Sequence, residues 1–481
     1  MTVAPASARG ALSPAVHLGV AAAIISAILA LAFVAPMPIW SGQPARAPSA
    51  DSPEQAGIGV IGALVALMFA LVLCVPFRPY ALAIRAARDL GDRPRLLWLL
   101  TAVLALSALA AYPRFGTDLF EYVAYERLWR IYGENPLLAR PLDHPEDWSF
   151  SLAWHPDRPN AYGPLWQILT WPINAAGGES IAGQVVAYKL LALAGYLLTT
   201  ALVYRVAAPG ERAAALVTFA WSPLVLFEVL GKAHNDVLVA LFLVAAVHLA
   251  GTGRGAGGIV AVAACTLIKI SAASGGPAIV KRLIQERAWG QLLGGAVASL
   301  VLAMAMYAPF WAGPRLLEPL LSQVSQNVWS PGTLALLASE LLTGTPQTLA
   351  VRVLLLATWA ACVALALWKL PVRDTAQLAT ATAVILLATV GLITTAFYAH
   401  YLVPVIALAA ISQQRLLQGL AMALSIGSLA TYAVELLALA FGPGWTASAE
   451  FRAFGSLLTL APALGLLGWR AARGDRATAH V

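Results

Sequence analysis

Charge is what this chain has least of: Asp, Glu, Lys and Arg make up 11% of its 481 residues. So little polar sequence argues against a dinucleotide-binding domain or another large soluble fold, and no Gly-rich phosphate loop or Rossmann-like stretch occurs. Cysteine is nearly absent as well. Cys74, Cys265 and Cys362 lie singly inside apolar runs with no ligand spacing, which argues against a disulfide framework or a cysteine metal centre and leaves them as apolar packing. Internal repeats, low-complexity tracts and a separable soluble domain are also missing.

What the chain has in excess is apolar sequence. It is 60% hydrophobic with a mean hydropathy of +0.76, and its apolar runs approach the roughly twenty residues that a helix needs to span hydrocarbon. The expected class is an all-α polytopic integral membrane protein forming one transmembrane domain over residues 1–481. Runs at about 15–36, 56–76, 95–112, 184–206, 212–231, 236–251, 290–311, 349–370, 374–396, 399–412, 415–440 and 453–471 give about twelve crossings. The first follows Arg9 and exceeds a signal-peptide core of about 7–15 residues, so it is expected to be retained as a helix.

The net charge of +7 is a topology signal rather than a nucleic-acid one, because the basic residues sit in short connections beside apolar runs. Arg78, Arg85, Arg88, Arg93 and Arg95 place the connection between the second and third runs in the cytoplasm, and both termini with it. Arg205, Arg212, Arg254, Lys281, Arg282, Arg287, Lys369, Arg373, Arg415 and Arg470 then fall on the same side. The stretch from Gly257 keeps this count only as two short helices that enter from the cytoplasm and return. Lys269 at its centre is expected to serve structure, snorkelling or bonding the broken backbone. Two long extracytoplasmic loops remain, 113–183 and 312–348.

The first loop opens with RFGTDLFEYVAYERLWRIYGENP, Arg114 to Pro136. As a helix over 118–132, it lines up Asp118, Glu121, Tyr122, Tyr125, Trp129 and Tyr132 on one side. Asp118 with Glu121 resembles a capping box, and Gly133 before Asn135-Pro136 is a stop. Two readings fit the spacing equally. Asp118 reads either as a helix cap under an interfacial aromatic belt, or as a carboxylate general base set beside aromatic faces, suited to deprotonating a sugar hydroxyl.

The order of elements adds a resemblance. Asp118, Tyr122, Gly133-x-Asn135-Pro136, Tyr162-Gly163-Pro164-Leu165-Trp166, Trp221-Ser222-Pro223, Gly231-Lys232-Ala233-His234-Asn235-Asp236, the Lys269 hairpin and Phe397-Tyr398-Ala399-His400-Tyr401-Leu402-x-Pro404 follow one another from Arg114 to Pro404. The series resembles the polyprenyl-phosphate-mannose-dependent mannosyltransferases of glycosyltransferase family 87, the kind found in mycobacterial lipoglycan synthesis, which have the GT-C membrane fold. It departs from them at Glu126, where glycine is frequent, at Leu137, where an aromatic is common, and in having two spans before the aspartate-bearing loop.

The resemblance implies an inverting hexosyltransferase of the cell membrane that works on the extracytoplasmic face. Its donor would be polyprenyl-phosphate-mannose, its acceptor a lipid-linked or envelope glycan, and Asp118 would be the base. Arg114, Lys232, His234 and His400 are candidates to stabilise the leaving phosphate. Glu121, Tyr122, Tyr162, Asn235, Asp236 and Tyr398 are further candidates to bind sugar or acceptor. Polar mixtures at His155, Asp157 and Arg158, and at Gln326, Asn327 and Trp329, also suit sugar binding or plain solvated loops. No cofactor beyond the donor lipid is implied. No metal is required by the sequence, although acids are numerous enough to leave room for one. Alternatives are the same fold with a glucose or arabinose donor, and a secondary transporter, which would share the many spans and the broken hairpin but would want matching discontinuous segments in its two halves. A noncatalytic scaffold leaves the Asp118 face without a reason.

Overall fold

The structure, a computed structural model, describes residues 13–33, 59–90, 94–111, 113, 118–319, 328–394, 396–412, 414–441 and 448–472. Among these residues it is helical throughout, with a single isolated bridge between Val328 and Ala396. The first half holds α1 (Pro14–Phe33), α2 (Gly59–Cys74), α3 (Phe77–Asp89), α4 (Pro94–Leu109), α5 (Asp118–Arg130), α6 (Pro164–Gly177), α7 (Ile181–Val206), α8 (Arg212–Ala220) and the short α9 (Pro223–Val225). The second holds α10 (Asp236–Gly251), α11 (Gly255–Thr266), α12 (Gly276–Gln285), α13 (Trp289–Tyr307), α14 (Pro331–Thr343), α15 (Thr348–Lys369), α16 (Thr375–Leu392), α17 (Leu402–Ser412), α18 (Arg415–Phe441) and α19 (Ala449–Ala472).

Among the described residues seven helices are long and apolar enough to cross a membrane, or eight if the bent pair Pro209–Ala220 and Pro223–Gly231 is one span. Five further apolar helices are shorter than that. The chain is a polytopic helical membrane protein. Its lipid-facing surface is plainest on α13 and α15, where only 6% and 11% of the most apolar window is covered by protein. Leu293, Leu300 and Met304 on α13, and Leu349, Leu354 and Trp368 on α15, stand exposed, as side chains do when hydrocarbon is the solvent.

The arginine-rich connection expected after the second run is itself helical. It forms α3, which buries Phe77, Tyr80, Ala83, Ala86 and Ala87 at spacings of one to three residues while Arg78 and Arg85 stay exposed. Tyr80 carries its hydroxyl to the carbonyl of Thr218, 2.5 Å away, and so ties this helix to α8. The stretch from Gly257 does divide into two short helices, α11 and α12, joined by a 3-10 segment over Ile270–Gly275.

The first long loop is a folded layer rather than a loose connection. The buried Arg127 bonds both carboxylate oxygens of Asp147 at 2.9 Å and pairs with Glu179. Arg130 reaches Glu179 at 2.7 Å and Asn174 at 2.8 Å. These contacts clamp α5 to the following turns, to α6 and to the start of α7. Glycine explains how closely the layer sits on the bundle. Gly163 donates its amide to the carbonyl of Ile268, and a Cβ on it would lie 2.2 Å from the Leu267 oxygen. The Tyr-Gly-Pro turn thus rests on the backbone that breaks α11 from α12.

Candidate active site

α5 begins at Asp118 and ends in the turn that the sequence announces. Gly133 takes φ +67°, and the amide of Glu134 reaches back to the Leu128 carbonyl, satisfying the helix end. Asn135 then clamps the exit, bonding the Phe310 carbonyl at 2.7 Å and accepting from the Leu137 amide at 3.0 Å. The capping box does not form. Glu121 turns instead to the amide of His155, 2.9 Å from its carboxylate, because the folded loop offers that donor.

Asp118 points into the bundle. The Tyr162 hydroxyl donates to its Oδ2, and its other oxygen faces His234 Nε2 at 3.7 Å. His400 Nε2 lies 4.0 Å from Oδ2. Tyr122 stands behind this group with Tyr162, Trp166 and Tyr188 around its ring at centroid separations of 5.0, 4.7 and 5.9 Å.

His234 is delivered by an unusual backbone. Trp221-Ser222-Pro223 breaks α8 from α9 with a 46° bend, and the chain continues as a π-helical turn, Leu226–Gly231. Ala233 then adopts φ +61°, a left-handed conformation that is strained for a residue with a Cβ. Such turns and strains recur at functional sites because they aim side chains that a regular helix would misplace. Here they set Glu228 against His234, with Nδ1 2.7 Å from Oε2. Glu228 accepts from Tyr432 at 2.8 Å, and Lys232 reaches the Tyr432 oxygen at 2.6 Å and Glu228 at 3.8 Å.

The far wall comes from Asp236, Lys269 and the turn Ala399–Tyr401. Lys269 Nζ lies 2.9 Å from both oxygens of Asp236 and 4.2 Å from the Tyr401 ring centroid. The lysine expected to serve the hairpin's backbone is therefore part of this cluster, because the break sits against the first loop and beside α10. His400 stacks against Tyr398 and lies 4.1 Å from His234, centroid to centroid. The second loop reaches the same place: the Phe397 amide bonds the Val328 carbonyl at 2.9 Å, and Trp329 packs on Tyr398.

The electrostatics separate the acids of the first loop. Burial pushes the Asp118 carboxyl up, but His234, with His400 and Lys269, pulls harder and holds it well below the usual carboxylate range. Burial and the adjacent Asp118 push Glu121 up to about 8, against the His155 amide. Burial also pushes Glu126 up to about 8; it faces Thr170, not the cluster. Asp143 pairs with Arg140 at the surface. Of these four, Asp118 is the carboxylate that is both ionised and inside the site.

The sequence candidates Asp118, Tyr122, Tyr162, Lys232, His234, Asn235, Asp236, Tyr398 and His400 converge, the Asn235 amide meeting the Tyr122 oxygen at 3.3 Å. Glu121 lies just behind. Asp157 stays exposed, and the Arg158 carbonyl receives the Tyr125 hydroxyl. Arg114, Gln326 and Asn327 lie outside the described residues. Glu228, Tyr432, Lys269 and Tyr401 join the site without having been assigned to it. An acid in an apolar run was the available signal for Glu228; Tyr432, in a long apolar helix, carried none.

A buried cluster of acids, histidines and lysines among tyrosines within a helical membrane bundle defines the class: a polytopic membrane protein with a buried polar site. Residues 16–285, more than half of the chain, match the family described as alpha-(1->6)-mannopyranosyltransferase, N-terminal domain, and the chain belongs to that family. Alpha-(1->6)-mannopyranosyltransferase A of Mycobacterium tuberculosis is 24% identical over 225 residues, 43% of this chain and 42% of that protein. A probable alpha-(1->6)-mannopyranosyltransferase of Mycolicibacterium smegmatis is 26% identical over 175 residues, 34% of this chain and 30% of that protein. The chain thus matches less than half the length of these curated relatives.

Proposed function

We propose that the chain is an inverting mannosyltransferase that takes mannose from a polyprenyl-phosphate-mannose donor and adds it to a lipid-linked or envelope glycan. The observation that carries this reading is the Asp118 carboxylate, oriented by the Tyr162 hydroxyl and facing a wall of histidines, lysines and tyrosines. The acceptor oxygen attacks the anomeric carbon as the bond from that carbon to the phosphate oxygen breaks. The acceptor proton passes to Asp118, and the phosphate leaves as the lipid monophosphate. An α product formed with inversion requires a β-linked donor. Lys269, Lys232, His234, His400 and Arg114 are the groups that would meet the negative charge growing on the phosphate. Tyr122, Tyr398 and Tyr401 offer ring faces to the sugars, with Asn235 and Asp236 as hydroxyl partners.

In this reading the chain has the GT-C fold with about twelve spans, its termini in the cytoplasm and its site on the other side, where the donor's sugar lies at the interface and its tail runs between helices. The test is transfer by the purified protein from polyprenyl-phosphate-linked mannose, glucose and arabinose to a membrane glycolipid extract, with the new linkage read by NMR. Turnover with mannose and an α anomeric signal are expected. Turnover only with another sugar overturns the donor assignment, and a β product overturns the inverting mechanism.

A further inference from the structure

We propose that Asp118, His234 and His400 form a binding site for a divalent cation of the zinc or manganese class, placed to hold the donor's phosphate. One carboxylate oxygen and one nitrogen from each imidazole lie within 4.8 Å of one another. Two imidazoles and a carboxylate are a donor set that suits such ions, and three protein ligands leave coordination positions open. Ligands on a tetrahedral zinc with bonds of about 2.0–2.1 Å stand roughly 3.4 Å apart. The side chains must therefore draw in by about half an ångström from the 3.7 and 4.0 Å contacts that now face Asp118.

Two further observations point the same way. His234 is fully buried, yet its Nε2, 3.7 Å from Asp118, has no hydrogen-bond partner. Glu228 sits behind it at Nδ1, where a carboxylate orients a metal-bound imidazole, and Tyr398 stacks on His400 and fixes the second ring. A bound cation would supply a Lewis acid at the leaving oxygen. Ligation through one oxygen of Asp118 leaves its other oxygen to take the acceptor proton.

Binding of the ion stands by itself, whereas its task at the phosphate rests on the transfer reading above. The full-length protein, stripped with chelator and then equilibrated with Zn2+, is assayed for metal content, and Mn2+ replaces Zn2+ for nitrogen couplings in electron spin echo spectra. About one ion per chain is expected, with two imidazole nitrogens coupled to Mn2+. Content should collapse in His400→Ala and Asp118→Asn and stay unchanged in His144→Ala, which alters a histidine outside the cluster. In Glu228→Gln, which keeps the fold's shape if the ligand variants do not, affinity should fall by about 10–100-fold. No stoichiometric ion, or content indifferent to His400 and Glu228, overturns the site. Full transfer activity in chelator overturns the ion's part in the reaction while leaving Asp118 as the base. Ion binding without any transfer overturns the transfer reading and leaves the site.

Discussion

Glu126 shows how burial sets the state of one residue. It is fully buried, one oxygen accepts from Thr170 at 2.7 Å, and the other has no partner. Its carboxyl is pushed from 4.5 to about 8, so the folded protein keeps a proton that the unfolded chain releases. The stability this contributes is complete below about 4.5 and is lost as pH rises through about 8. Glu126→Gln supplies a neutral isostere. Its melting temperature should match the wild type at pH 5 and exceed it at pH 8.5 by several degrees, at roughly 2–4 °C per kcal/mol recovered. A variant no more stable than wild type at pH 8.5 would mean that the glutamate is ionised in the fold.

At this scale the site was half legible. Asp118, Tyr162, His234 and His400 stand out because polar residues beside apolar runs are few and their order resembles a known family. Lys269 was seen, yet a lysine at a helix break has an adequate structural use, and only the fold reveals Asp236 2.9 Å away. Tyr432 was invisible: it sits in the 27-residue helix α18, where a tyrosine looks like any other apolar-facing ring.

Among the elements, the one that assembles the site is α7. Lys189, buried near its start, donates to the carbonyls of Leu109, Ala111 and Leu230, at 2.8 Å to Leu109 and 2.9 Å to Leu230. These carbonyls belong to the end of α4, just before the Asp118 segment, and to the end of the π turn, just before Lys232 and His234. One side chain thus fixes the separation of the two segments that carry the acid and the histidine. Lys189→Met should orphan those carbonyls, costing about 1–3 kcal/mol for each that water does not reach. Its kcat should drop by at least tenfold in the protein that remains folded, with a smaller change in KM. Unchanged kcat would make Lys189 a membrane anchor only.

Gly163 gives a second test of the same kind. Its missing Cβ lets the Tyr-Gly-Pro turn approach the hairpin backbone, so Gly163→Ala must push the turn off Leu267 and with it Tyr162 off Asp118. Loss of transfer with a melting temperature lowered by only a few degrees is expected; an active alanine variant would show that the contact is loose. The broken hairpin and the Gly133 stop were readable because Gly, Pro and Ser act on the backbone directly. The helical α3 and the π turn were not, since their conformations depend on what they pack against.

For the whole molecule, the proposed topology follows from where the arginines stand beside the apolar runs, and among the described residues seven or eight helices are long and apolar enough to cross a membrane. Single cysteines report it, in a background where Cys74, Cys265 and Cys362 are replaced. Asp157→Cys in the first loop should react with a membrane-impermeant maleimide in intact cells, whereas Glu286→Cys between α12 and α13 should react only after permeabilisation. The reverse pattern would turn the molecule over and move the proposed site into the cytoplasm.

The most direct measurement is single-turnover transfer of labelled mannose from polyprenyl-phosphate-mannose, comparing the wild type with Asp118→Asn in protein of equal melting temperature. The amide keeps the shape and the Tyr162 contact but cannot take the acceptor proton, so a rate lower by about 10²–10⁴-fold is expected. Transfer by Asp118→Asn at the wild-type rate would contradict the assignment and return Asp118 to the part of a buried structural acid.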